Sequence, residues 1–301
     1  MYLYIVVFIT CILSAIGYYF SSRIMFIQKK SDDFIYNREV LGHKFDKSFF
    51  NSLDCEQFYI NSRFGYKLSC TFFKPYENKN KFIILSHGVT VNSLNSYKYA
   101  ELFLKRGFNV LLYEHRRHGK SGGTTTSYGY YEKFDLKSIV DWVYGKFGDD
   151  IILGIHGESM GAATIILYAG ELDDRCNFYI CDSAFVDLEI QLKYQLKKIY
   201  NLPVFPFFHL SKLFVFFRDK YWLSSVSPVS AIKNINNPIL LIHCCNDDYT
   251  LSFHSKNLYE KKRDNKVLYI AEYGKHACAL NENRSSYEAA IDDFLKSNSI
   301  S

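Results

Sequence analysis

The sequence predicts an α/β fold: one domain built on a mostly parallel sheet with helices on both faces. Three observations predict it. Apolar runs of strand length recur along the chain, helical patterns alternate with them, and one run ends in the turn Gly157-Glu158-Ser159-Met160-Gly161. Strands buried on both faces read as unbroken apolar runs, and alternation of strand with helix is the signature of parallel crossovers. At 301 residues, 48% hydrophobic and 22% charged, the chain can bury one substantial core.

Residues 1–22 carry no charged side chain and are apolar almost throughout. About 20 such residues, rising ~1.5 Å each, cross a bilayer core of ~30 Å, so this stretch reads as a transmembrane anchor. The competing reading is a cleaved signal peptide, with Ala15-Ile16-Gly17 as the cleavage candidate. Against it, no basic segment precedes the apolar run, and Tyr18-Tyr19-Phe20 has the character of an interfacial belt. Arg23, Lys29 and Lys30 follow the span, so the positive-inside bias expects a single-pass protein of the cell membrane with its folded domain in the cytosol. The eight cysteines are irregularly spaced, as free thiols packed as small hydrophobes would be.

Residues 23–55 have mixed polarity and are expected to be a connecting segment with one short helix; the globular domain is expected over 56–301. Glu56 to Ser62 and Tyr66 to Lys74 alternate in polarity around Gly65, which predicts a hairpin. Lys81 to Ser86 is the first buried strand. After it come a helix near Ser96 to Arg106, a strand at Phe108 to Tyr113, a helix at Glu132 to Phe147, the strand before the Ser159 turn, its helix, and a strand at Phe178 to Cys181. The rhythm then breaks. Residues 185–227 read as a helical cap inserted over the site: Leu188, Leu192 and Leu196 recur four apart, and Leu202 to Trp222 is dense in phenylalanine, punctuated by Pro203 and Pro206. Such aromatics serve equally as pocket lining or as plain core. Strands at Pro238 to His243 and Lys266 to Ile270 close the pattern.

The chemistry lies at strand ends. A strand, a G-x-S-x-G turn and a helix make a nucleophile elbow, which exposes the hydroxyl of Ser159 above the sheet. A serine hydroxyl needs an imidazole as base, and the imidazole needs a carboxylate to hold its tautomer. Both follow downstream, in the order serine, acid, histidine: Asp247 after one strand, with Asp248 and Asp182 as rivals, and His276 after the next. An oxyanion needs two preorganised donors, assigned to the backbone N–H groups of Met160, after the serine, and Val89, in the loop after the first buried strand. His87 in that loop reads as a brace, and Glu158 as structural.

Together, Ser86-His87-Gly88, Tyr113 to Gly123, Gly157 to Gly161, Asp182-Ser183-Ala184, the Asp247 loop and His276 resemble the serine-aminopeptidase-like (Hydrolase_4) branch of the α/β-hydrolase superfamily, close to its membrane-anchored bacterial members. The likeness spans Tyr59 to Leu295. It implies an eight-stranded sheet, no cofactor, no metal, and hydrolysis through an acyl-enzyme. The family's acid lies four residues after the histidine of its strand end, which selects Asp247. Two positions depart from the family pattern, Glu114 where Asp is common and Cys244 where Gly is common.

The expected function is a membrane-anchored serine hydrolase acting on a small-molecule acyl substrate, with lipid-derived carboxylic esters favoured. A serine aminopeptidase or a thioesterase would use the same triad, and a non-catalytic binding protein is the reading from another class. Nucleic acid is an unfavoured partner, since the net charge of +5 is spread without basic clusters.

Overall fold

A computed structural model describes residues 1–41, 46–74 and 80–300. Eight strands form one sheet: β1 (Cys55–Asn61), β2 (Lys67–Phe73), β3 (Lys81–Ser86), β4 (Asn109–Tyr113), β5 (Ile152–Glu158), β6 (Phe178–Asp182), β7 (Ile239–Cys244) and β8 (Lys266–Ala271). Their spatial order is β1-β2-β4-β3-β5-β6-β7-β8. The β1·β2 and β2·β4 pairings are antiparallel and all later ones are parallel. The hairpin expected from alternating polarity is therefore the antiparallel edge of a parallel sheet.

Helices α1 (Tyr2–Met25), α2 (Asp32–Leu41) and α3 (Lys47–Asn51) precede the sheet. Crossovers α4 (Tyr97–Leu104), α5 (Glu132–Phe147) and α6 (Met160–Glu171) join β3 to β6, and α7 (Leu188–Tyr200) and α8 (Phe207–Asp219) form the helical insertion between β6 and β7. Helices α9 (Pro228–Ala231), α10 (Phe253–Lys261), α11 (Ala279–Glu282) and α12 (Arg284–Ser297) complete the chain. Leu136, Ile139 and Val143 of α5 and Ile165 of α6 fill the core on one face of the sheet; Phe103 of α4 and Tyr287, Ile291 and Phe294 of α12 fill the other. Burial on both faces explains why β4 and β7 are apolar along their length, while the edge strand β8 is only half-buried.

The structure differs from expectation in three places. α1 runs on to Met25, because Ser21, Ile24 and Met25 are buried against the domain. The segment after it carries two helices; Asp46 caps α3 by accepting from the N–H groups of Ser48 and Phe49, a local signal lost in a stretch without periodicity. The helix expected from Phe185 starts at Leu188, since Asp187 accepts from the N–H groups of Glu189 and Ile190 and so fixes the first turn.

α1 is long and apolar enough to cross a membrane. Its first half stands clear of the domain, with Tyr2 82% and Phe8 66% exposed.

Candidate active site

β3 lies between β4 and β5, so the chain leaves it in one direction and returns on its other side. At such a switch point the loops after adjacent strands diverge and leave a crevice at the carboxyl ends of the strands. Ser159 sits there, at the junction of β5 and α6, with φ 55° and ψ −113°. A non-glycine residue in this left-handed region costs about 1–3 kcal/mol, which the surrounding packing must sustain. The two glycines of the turn show how tight that packing is. A Cβ on Gly161 would lie 2.1 Å from the carbonyl oxygen of Ser86, and one on Gly157 would lie 2.6 Å from the carbonyl carbon of Gly161.

Ser159, His276 and Asp247, far apart in sequence, meet in this crevice. His276 Nε2 is 2.8 Å from Ser159 Oγ, and His276 Nδ1 is 2.6 Å from Asp247 Oδ2. A carboxylate only accepts, so Nδ1 carries the proton and Nε2 is left free to accept from the serine. Asp247 is buried and fully engaged. Its Oδ1 accepts from the N–H groups of Tyr249 (2.9 Å) and Thr250 (2.8 Å). Burial pushes this carboxyl up, but hydrogen bonds from His243 and His276, the nearby His276 charge and the Thr250 N–H hold it well below the usual carboxylate range.

His243, the strand-end histidine that served in the sequence only to mark the acid, stands beside it in the structure. Its Nε2 lies 2.6 Å from the Thr250 carbonyl and 3.2 Å from Asp247 Oδ2, both acceptors, so the proton sits on Nε2, and Nδ1 accepts from Ser255 Oγ at 2.7 Å. The signal was present, since His243 precedes Asp247 by four residues; what that spacing builds shows only once β7 ends beneath the loop.

Neither rival acid holds the His276 ring, whose Nδ1 is bonded to Asp247. Asp248 is exposed and pairs with Lys198 at 3.1 Å. Asp182 is buried below the elbow, where Ser183 Oγ donates to it at 2.8 Å and Tyr99 OH lies 3.4 Å away; burial first, then the Glu158 charge, raise its carboxyl to about 6. Glu158 is a hub: Asn95 Nδ2 (3.0 Å), Tyr99 OH (2.9 Å) and the buried Lys98 ammonium (3.1 Å) converge on it. Burial alone would raise its carboxyl; Lys98 and the three hydrogen bonds reverse that and hold it at about 2.

Among the other histidines, His87 accepts from the His115 N–H through Nε2 (3.0 Å) and donates through Nδ1 to the Gly88 carbonyl (2.7 Å), which fixes it as a neutral brace of the loop; burial depresses it to about 3. His118 Nε2 lies 2.5 Å from the Val89 carbonyl, so this loop is held from both sides. His43 lies outside the described residues. Glu114 accepts from Ser93 Oγ and the Lys120 N–H, a local role its extra methylene reaches. Cys244 is buried, as are Cys70, Cys176 and Cys181.

Two cavities reach Ser159. One, of about 270 Å³, is apolar: α7 and α8 supply Leu188, Leu192 and Phe208, and Val89 and Met160 border it beside the serine. The other, of about 400 Å³, approaches from the His276 side; its walls are mostly apolar too, with the charged Arg38 and Lys275 and the amide of Asn95 at its border. The cap aromatics divide between tasks: Phe207 and Phe208 face the first cavity, while Phe205 and Phe217 point to solvent. Among the described residues, no group of three or more His, Cys, Asp or Glu side chains is arranged to hold a metal ion.

Sheet order, elbow and crevice define an α/β hydrolase, and the family model described as alpha/beta hydrolase fold matches residues 81–288: the chain belongs to that family. It is 45% identical over 283 residues, 93% of its own length and 92% of the relative's, to the uncharacterized protein YqkD of Bacillus subtilis (strain 168). Among solved structures it is similar to the Pyrococcus furiosus esterase Pf2001, with TM-score 0.68 and 25% identity over 84% of this chain and 94% of that one. It shares the fold of acetyl xylan esterase 1 from Thermoanaerobacterium sp. JW/SL YS485, with TM-score 0.62 and 15% identity over 89% of this chain and 94% of that one.

Proposed function

We propose that the protein is a membrane-anchored serine hydrolase of the serine-aminopeptidase-like branch that cleaves carboxylic esters with apolar acyl chains through an acyl-enzyme. The observation that carries this reading is the hydrogen-bonded line from Ser159 through His276 to Asp247, set at the floor of an apolar cavity. Ser159 Oγ attacks the ester carbonyl while His276 Nε2 takes its proton. Asp247 keeps the ring in the tautomer that can do so and stabilises the imidazolium formed. The N–H groups of Met160, first of α6 and without a partner in the helix, and of Val89 stabilise the developing oxyanion. His276 then protonates the leaving alcohol, and water admitted to the same base releases the acyl group.

The two cavities suit the two halves of such a substrate. Burying the acyl chain in the first gains roughly 0.8 kcal/mol per methylene, and Arg38 and Lys275 at the border of the second suit a hydroxylated or anionic leaving group. That Pf2001 and the acetyl xylan enzyme bear the name esterase favours esters over amides. An aminopeptidase needs free carboxylates to bind an amino terminus, and two of the three in the cap are engaged: Asp187 caps α7 and Glu189 pairs with Lys212 at 2.5 Å, while Asp219 accepts from Thr125 at 2.9 Å through Oδ1 and keeps Oδ2 buried. α1 supports the anchor, and Arg23, Lys29 and Lys30 support a cytosolic domain.

The test is a panel of esters, thioesters and amides of graded acyl length with the purified full-length protein. The reading expects esters to be cleaved, with kcat/KM rising from two carbons to eight; preference for amides, or no hydrolysis of any of them, contradicts it. Protease treatment of intact cells tests the placement, since digestion of the folded domain from outside contradicts a cytosolic site.

A further inference from the structure

The end of α1 is built into the apolar cavity. Phe20 and Ile24 of the helix, and Ile27 just beyond it, border the same space as Ser159 and Met160. The helix is seated there by close contact with the cap. Gly17 lies so near α8 that a Cβ on it would stand 2.5 Å from Phe214 Cδ2. Arg218 of α8 donates to Ser21 Oγ (2.6 Å) and Ser22 Oγ (2.8 Å), and its guanidinium lies 4.2 Å from the centre of the Tyr18 ring. The Phe20 ring meets Tyr200 at 5.4 Å and Phe207 at 5.6 Å, both edge-on.

The chain leaving α1 is tied to the loop that carries Val89. The Lys30 N–H donates to the Thr90 carbonyl at 2.9 Å, Arg117 donates to the Ile27 carbonyl at 3.1 Å, and Asn92 donates to Asp32 at 2.6 Å. A helix serving only as a tether has no need of these contacts. Here its first half is free of the domain, while its last turns touch the cap and the chain just beyond it holds the loop beside Ser159.

We propose that Phe20, Ile24 and Ile27 form the wall of the acyl cavity and set the length of chain it accepts, so that the anchoring helix is also part of the substrate site. This rests on reading Ser159 as the acyl-accepting nucleophile. The cavity's mouth agrees with it. Ile199, which also borders the space, is 60% exposed beside Tyr200 and Arg23, at the end of α1 where the apolar run gives way to charge. An acyl chain held in a lipid leaflet reaches that mouth without crossing water.

The test uses the full-length protein in detergent or vesicles and an eight-carbon alkyl fluorophosphonate ending in a diazirine. Ser159 Oγ displaces fluoride, and irradiation then marks whatever lies against the far end of the chain. The expected photoproduct is on the peptide holding Phe20 to Ile27. Steady-state kinetics give a second reading. Since one methylene more or less in an apolar pocket changes discrimination by roughly 10–200-fold, Ile24→Trp is expected to lower the ratio of kcat/KM for eight-carbon over two-carbon esters at least about tenfold, and Ile24→Ala to raise it. Phosphonylated Ser159 with photoproducts only outside α1, or ratios equal to the wild-type ratio in both variants, overturns this inference and leaves the proposed function standing. Failure of the probe to modify Ser159 in folded protein overturns the reading beneath it. If the Ile24 variants do not fold, the cross-link on the wild-type chain decides.

Discussion

His243 Nε2 donates to the Thr250 carbonyl at 2.6 Å and lies 3.2 Å from Asp247 Oδ2, on the strand whose following loop carries that acid. The same carboxylate oxygen accepts from His276, so one buried acid is held by two imidazoles and two backbone N–H groups. His243 is thus a positioning residue. A hydrogen bond to a charged group contributes about 1.5–3 kcal/mol. If that is expressed in the orientation of His276, His243→Phe lowers kcat roughly ten- to a hundredfold. KM is expected to stay nearly unchanged; a kcat equal to wild type shows the bond to be idle.

The choice between neighbouring acids is equally direct. Asp247→Asn replaces an acceptor that fixes the His276 tautomer, and is expected to lower kcat by about 10⁴. Asp248→Asn removes only an exposed, solvent-screened pair with Lys198, and is expected to leave kcat within about threefold. Reversed results would move the acid to position 248.

The elbow makes a prediction about stability. Because a methyl group on Gly161 would sit 2.1 Å from Ser86 O, which belongs to the backbone of β3 and cannot swing away, Gly161→Ala is expected to destabilise the fold by at least ~3 kcal/mol. Thermal unfolding measures this, and a midpoint within a degree or two of wild type would contradict the packing described.

Glu158 links folding to pH. Its carboxyl is held at about 2 in the folded chain against an ordinary value of 4.5, so the folded state binds this proton less readily than the unfolded one. Stability from the group is therefore complete above pH 4.5 and lost as pH falls toward 2. Glu158→Gln is expected to be less stable than wild type at neutral pH by about 3 kcal/mol, because it leaves the Lys98 ammonium buried without its partner. That gap should close through the same acid window in denaturant titrations; a constant gap would place the lost stability elsewhere.

Much of this was legible in the sequence because it is local. The unbroken apolar runs Phe82 to Leu85 and Ile239 to Ile242 announce buried parallel strands, and the glycines around Ser159 announce a turn that admits nothing larger. Strand-end positions put His276 and Asp247 among the candidates but left Asp248 and Asp182 open, and only the family likeness selected Asp247; the structure brings His276 and Asp247 to Ser159. What the residues do not disclose is long-range pairing. Gly17 with Phe214, Arg218 with Ser21 and Lys30 with Thr90 join segments whose separation no periodicity encodes, so an apolar helix that reads as a simple anchor also becomes a wall of the cavity. Lys98 and Glu158 are opaque for a similar reason. Charges usually mark a solvated face, and only the fold shows that these two neutralise each other inside it.

The proposed chemistry requires Ser159 Oγ to form the acyl bond. Hydrolysis of an eight-carbon ester by purified wild type and Ser159→Ala, matched for folding by thermal midpoint, tests it most directly. In the variant kcat is expected to fall by about 10⁴ or more, together with loss of fluorophosphonate labelling. Hydrolysis by Ser159→Ala at the wild-type rate would contradict it.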